Sequence, residues 1–459
     1  MERIVHGRDI MKRLPLLATL VSAALTGALP EAGFSQVVPA VADGSVVGAA
    51  PGSLRALPCG PVVRPSIRRG SRWSQRPVFD YRIHDHTSYR DQGGPLESLL
   101  TTMFRRSWLR LEYLNWDVDS PGNVLVGAPV SNVADPTQPF EIFDTGGGGG
   151  SLGQAIVETL NPSHFRDAGG GRGTLGIPMN GLTLEVASWG LEQTSEQQLR
   201  DNISAPRVDL NATPPPNPAL GTATNPNVII SLLFNGAPSD SNSLFGLVFD
   251  DRISTNVSTQ AWGTEFNFIA DHYNAGMGLK WQPLAGFRYI NLQEDFNVVG
   301  IFNNGGTQAD RTSVLSSMTH NNIYGPQVGF RTEFVHEWFT LNLTPRIMFG
   351  LNNYLAELRT GPLLAATDAV VESRDTRVDF TPMVQVSASL TVHCNEFVSV
   401  FFGYDFLWLN RVTRPWDNIR YDSFRDANTG VLTPNISLDD ALGSFQIEGM
   451  SIGMVIRFP

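Results

Sequence analysis

The sequence predicts an all-β protein: a closed antiparallel transmembrane β-barrel of about ten strands (eight to twelve), with long loops outside and short periplasmic turns. Three observations predict it. Apolar and polar residues alternate along runs of about nine to eleven residues, the length that crosses a bilayer when tilted. The connections between these runs are alternately long and short. The chain closes on a strand that ends in an aromatic residue, SIGMVIRF (451–458).

Composition agrees. Charged residues are 17% of the chain, below the usual quarter, and Gly and Pro number 44 and 30. That mixture argues against a helical enzyme and against disorder, and fits a β-protein with many turns. The net charge of −11 makes nucleic acid an unsuitable partner.

The first element is an export signal. Lys12 and Arg13 precede an apolar stretch from Leu14 to Leu29, too short for a good spanning helix, and small residues follow. We assign residues 1–35 to the signal, with Met11 as an alternative start and cleavage between Ala28 and Gln36. Residues 36–104 read as a flexible periplasmic segment, with arginines from Arg64 to Arg76 and no sustained period. Residues 105–459 form the barrel.

The strands follow in order. RSWLRLEYLNW (106–116) is the first. TLGIPM (174–179) and GLTLEVASWGL (181–191) make a hairpin over Asn180-Gly181, a strong tight-turn pair. The fourth and fifth are AWGTEFNFIA (261–270) and LKWQPLAGFRYINL (279–292). The sixth and seventh are IYGPQVGFRTEF (323–334) and WFTLNLTPRIMFGL (338–351), in which Pro326 and Pro345 each remove one ladder donor. MVQVSASLTV (383–392), FVSVFFGYDFLWL (397–409) and FQIEGMSIGMVIRF (445–458) complete the set. Long loops are expected at about 117–173, 192–260, 293–322, 352–381 and 410–444. The first two carry GGGGG (146–150) and PPPNP (214–218). An even strand count returns both chain ends to the periplasmic side.

Each strand has two chemical faces. Leu341, Leu343, Ile347 and Phe349 oppose Asn342, Thr344 and Arg346, and Val400, Phe402, Tyr404 and Phe406 oppose Ser399, Gly403 and Asp405. The apolar faces are too wide to cover one another within one closed sheet, so they face lipid. Trp116, Trp262, Tyr324, Trp338 and Trp408 lie near strand ends, where an interfacial girdle is expected. The polar faces then line the lumen. They bring Arg110, Lys280, Arg288, Arg331, Arg346 and Arg457 together with Glu112, Glu185, Glu265, Glu333 and Asp405. A ten-stranded barrel is near the size that side chains fill. These charges are therefore either a mutually paired network or the lining of a narrow pore.

At the C-terminus, Gly453, Ile456 and Phe458 look like the signal read by barrel-assembly machinery, with Pro459 one residue past the usual terminal aromatic. The sequence has no G-x-S-x-G and no H-E-x-x-H. A hydrolase would need an Asp/His cluster at the outer rim, where His320 and Asp310 stand. No enzyme, cofactor or metal is expected. An exported chain permits a Cys59–Cys394 disulfide, and the sequence leaves that pairing open. The expected partners are the outer-membrane lipid bilayer and the assembly machinery, and homo-oligomerisation is left open.

Several stretches, in order over 105–459, resemble one family. They are RLEYLNW, GGGRGTLGIPMNGLTLEVASWGLE, WGTEFN, AGFRYINLQED, NNIYGPQVGFR, FFGYDFLWLNRVTRPWDNI and EGMSIGMVIRF. The family is the planctomycete outer-membrane β-barrel porins called beta barrel porin-7. The resemblance implies an outer-membrane barrel in a planctomycete-type envelope. It implies little chemistry. The GFRY, YGPQ and NRVTRPWD stretches mark either a function or strand starts and loop anchors. The function expected from the sequence is a porin-like passive channel for small polar solutes. The alternative is a non-conducting barrel that anchors its long loops.

Overall fold

Alternation at a two-residue period builds strands, and in the computed structural model ten of them pair edge to edge into a ring. The structure describes residues 107–458, apart from 129–136, 139, 144–150, 161–164, 180, 202–227, 235–244, 272, 277, 304–308, 364–369 and 426–431. The expected signal (1–35) and the 36–104 segment lie outside the described residues. So do Cys59, Asn180 and the Gly and Pro runs at 146–150 and 214–218.

The ring strands are β1 (Trp108–Val118), β2 (Phe165–Met179), β3 (Leu182–Leu191), β4 (Arg252–Ala270), β5 (Leu279–Phe302), β6 (Arg311–Val335), β7 (Phe339–Thr360), β8 (Glu372–His393), β9 (Val398–Val412) and β10 (Gly443–Arg457). Each pairs antiparallel with the next, and β10 returns to β1. Closure leaves no free edge within the membrane, where an unpaired backbone group has no water to turn to. At the seam Gly453 stands opposite Glu112. A Cβ on Gly453 would come within 2.0 Å of the Leu111 carbonyl oxygen, so the close approach of β10 to β1 needs glycine there. Gly181, at φ +81°, supplies the left-handed step of the β2–β3 turn.

The chemistry of the two faces exchanges along the barrel. On the periplasmic part of β5 and β7, Phe287, Ile347 and Phe349 are exposed outward while Arg288 and Arg346 are buried inward. Further along the same strands most inward residues are apolar, among them Ile290, Leu292, Phe296 and Leu358, all buried, with Glu294 and Asn352 as buried polar exceptions. The outward residues there include Gln293, Asn297 and Glu357. The first arrangement suits lipid outside and the second suits water outside. The exchange point is flanked by outward Trp262 and Tyr324, as an aromatic belt at a membrane boundary would be.

This exchange corrects two expectations. The segments 293–322 and 352–381, expected as loops, are mostly strand: β5 runs to Phe302, β6 starts at Arg311, β7 ends at Thr360 and β8 starts at Glu372. They lack a lipid-facing apolar stripe because they rise above the membrane. Trp116, expected in the girdle, is instead 2% exposed and points into the barrel, 5.4 Å from the Trp189 ring. Trp262, Trp338 and Tyr324 are exposed, and Trp408 is half-buried on the outward face.

The outer loops carry further β-structure. Phe140–Phe143, Ser151–Ile156, Val228–Phe234 and Phe245–Phe249 form a four-stranded sheet drawn from two different loops. Thr194–Asp201 pairs with the upper part of β4, and Ile419–Arg425 with Leu432–Leu438 makes a hairpin.

Candidate functional site in the barrel interior

The interior is stacked in three tiers. The periplasmic tier is ionic. Glu265 accepts from Arg288, from Arg346 Nη1 at 2.9 Å and from Gln327 Nε2 at 3.1 Å. Glu185 takes a two-pronged pair from Arg331, 2.7 Å to each oxygen. Arg172 bridges Glu112 (2.5 Å) and Asp405 (2.9 Å), and Arg110 adds a second contact to Glu112 at 2.7 Å. Ser387 Oγ donates to Asp405 at 2.5 Å. Alternation places all of these groups inward, and ring closure brings nine strands' contributions together.

One inward step further from the periplasm, the lining turns apolar on five strands at once. Glu112 is followed by Leu114, Arg288 by Ile290, Arg346 by Met348, Gln385 by Met383 and Asp405 by Leu407. All five apolar side chains are buried and belong to one core with Trp116 and Trp189. Arg288 Nη1 reaches Met383 Sδ at 3.4 Å, and the Arg172 guanidinium lies 5.7 Å from the Trp116 ring. The tiers are therefore in direct contact.

The third tier is the start of the last outer loop, turned into the lumen above the membrane. Thr413, Arg414, Trp416 and Asn418 are buried. Asn321 clasps the Thr413 backbone from both sides: its Nδ2 donates to the carbonyl at 2.9 Å, and its Oδ1 accepts from the amide at 3.0 Å. Arg414 Nη2 donates to Glu294 Oε1 at 2.8 Å and Nη1 to Asp119 Oδ2 at 2.8 Å. Its guanidinium lies 4.3 Å from the Trp416 ring centroid. Burial pushes the Glu294, Asp119 and Asp417 carboxyls above the usual carboxylate range, against the pull of Arg414. The NRVTRPWD stretch is thus a loop anchor inside the barrel.

Eight residues read from the sequence as lumen-lining meet in the ionic tier: Arg110, Glu112, Glu185, Glu265, Arg288, Arg331, Arg346 and Asp405. Lys280 and Glu333 stand opposite each other in register, two residues nearer the periplasmic end than Gln282 and Arg331. Arg457 is exposed at the end of β10, with Nη1 3.4 Å from Ser399 Oγ. Arg172 was missed, because the expected second strand began at Thr174. Its parity with Thr174 was the available signal. Of the expected assembly residues, Gly453 lies in the β1–β10 seam, Ile456 is half-buried and Phe458 is exposed. Cys394 is exposed in the β8–β9 turn. His320 lies on the outward face of β6, and Asp310 accepts from Asn303.

Residues 108–458 match the family model described as "Putative beta barrel porin-7". Among solved structures, the chain is similar to the outer membrane protease OmpT of Escherichia coli, at 10% identity and a TM-score of 0.39, covering 77% of this chain and 97% of that one. It is also similar to the toluene transporter TbuX of Ralstonia pickettii, at 8% identity and a TM-score of 0.16, covering 77% and 89%. No curated protein sequence matches. The sequence led us to expect no enzyme, and that expectation is corrected. The finding that stands against it is that one of the solved structures similar to this chain is an outer membrane protease.

Proposed function

We propose a function on the premise that this chain belongs to the beta barrel porin-7 family and is an outer-membrane β-barrel. Our reading is a barrel whose lumen rests closed and whose work is to hold a β-rich cap at the outer surface. The observation that carries it is the apolar layer of Leu114, Ile290, Met348, Met383 and Leu407, buried across the lumen between two polar tiers. Such a layer excludes water, and a column of solute cannot cross it. The loop at 413–418, held by Asn321 at Thr413 and by Glu294 at Arg414, closes the outer side of the same path. The last strand offers Gly453, Ile456 and Phe458 to the assembly machinery in this reading.

A passive channel for small polar solutes is the second reading. The polar tier on the periplasmic side favours it, and it requires the 413–418 loop to leave the lumen. Swelling of liposomes carrying the full-length chain tests the two. The closed reading predicts no swelling in a small sugar, with insertion verified by a heat-modifiable gel shift. Swelling at the rate of an open porin would overturn it.

A further inference from the structure

The ionic tier does not balance. Among the described residues it holds five arginines (110, 172, 288, 331, 346) against four carboxylates (112, 185, 265, 405), so one positive charge is left over. Lys280 and Glu333, opposed at the rim, add none. A buried charge without a counter-charge is strongly disfavoured. The excess sits beside a small cavity of about 30 Å³, room for one small ion, on the periplasmic side of the apolar layer. Arg110, Arg172, Arg331 and Arg346 line it, against only two carboxylates, Glu265 and Asp405. Neutral donors complete the wall, among them Asn342 and Ser389. Two guanidinium N–H groups, Arg331 Nε and Arg346 Nε, are buried without an acceptor among the described residues. The Arg331 and Arg346 head groups are otherwise spent on Glu185 and Glu265.

We infer that this cavity binds one small monovalent anion, a halide or a carboxylate, against Arg331 and Arg346. The charge matches the excess of one, and the unpaired Nε–H groups supply donors. A monovalent ion suits the site better than a divalent one, which would leave the tier negative. The inference stands whether or not the barrel conducts.

The test uses the full chain refolded in detergent. Sodium chloride and sodium acetate are titrated separately at constant ionic strength, held with the sodium salt of a sulfonate buffer too large for the cavity. Calorimetry and the thermal midpoint of the gel shift are read. The inference predicts saturable one-to-one binding of at least one of the two anions, with a rising midpoint. Binding of acetate alone would assign a carboxylate ligand, and binding of chloride a halide; either supports the site. Asn342→Asp supplies a carboxylate from the cavity wall while keeping the oxygen that accepts from Thr344 Oγ1. It should weaken anion binding at least tenfold and make the midpoint insensitive to added anion. Ser389→Asp is the second variant, with the same expectation, should the first not fold. No saturable binding by the native chain, or undiminished binding in a folded variant, overturns the inference.

Discussion

Arg414 Nη2 lies 2.8 Å from Glu294 Oε1 inside the barrel, above the membrane. That ion pair ties the last outer loop to β5, a strand far from it in the chain. It sits on the outer side of the apolar layer that we read as the closure.

Arg414→Met removes the cation and leaves Glu294 buried beside Asp119. Breaking one side of a buried pair costs about 3–5 kcal/mol. The loop should then be released while the membrane part stays folded. Proteinase K applied to outward-facing proteoliposomes should clip at 413–418 in the variant and spare that stretch in the native chain. Equal resistance would mean that packing of Trp416, and not the ion pair, holds the loop.

Burial raises the Glu294, Asp119 and Asp417 carboxyls. A carboxyl whose folded pKa is raised favours the folded state most when protonated. Its contribution is complete below the unfolded pKa and is lost as pH rises through the folded value. Resistance of the loop to proteinase K should therefore fall from pH 4 to pH 8. Glu294→Gln should flatten that slope without abolishing it, since Asp119 and Asp417 shift the same way.

Glu265 pairs with both Arg288 and Arg346. Glu265→Leu leaves two buried arginines facing each other and should cost about 3–5 kcal/mol or more. Combining it with Arg288→Met and Arg346→Met should restore most of the loss, because a buried ion group can be replaced by apolar side chains at little net cost. Urea titration of refolding into lipid vesicles measures both. A triple variant no better than the single one would contradict this.

The exchange of faces predicts a position effect. Phe349→Arg places a cation on the lipid-facing surface and should cost about 2–4 kcal/mol. Gln293→Arg points the same way from the neighbouring region above the membrane and should cost within about 0.5 kcal/mol. Equal costs in the vesicle titration would mean that the membrane boundary lies elsewhere.

The membrane part was legible in the sequence, and the part above it was not. Lipid imposes one rule on every strand, apolar outward, so the hairpin of Val384, Val386 and Ala388 against Tyr404, Phe406 and Trp408 can be read directly. Above the belt that rule lapses. Leu292, Phe296 and Val298 turn the apolar side inward, opposite to the lipid-facing pattern, so the sequence alone reads 293–322 as loop. Trp116 shows the same confusion from the other direction, since an aromatic at the boundary can serve the belt or the core. The charged tier was legible by parity except for Arg172, masked by its glycine-rich surroundings. The pairing of Arg172 with both Glu112 and Asp405 was not, because it depends on which strands ring closure brings face to face.

Single-channel recording of the full-length chain in planar bilayers tests the closed lumen most directly. The account predicts no discrete steps from the native protein, with insertion shown independently by the gel shift. Steps whose size scales with salt concentration would show a water-filled path through the layer of Leu114, Ile290, Met348, Met383 and Leu407, and would contradict it.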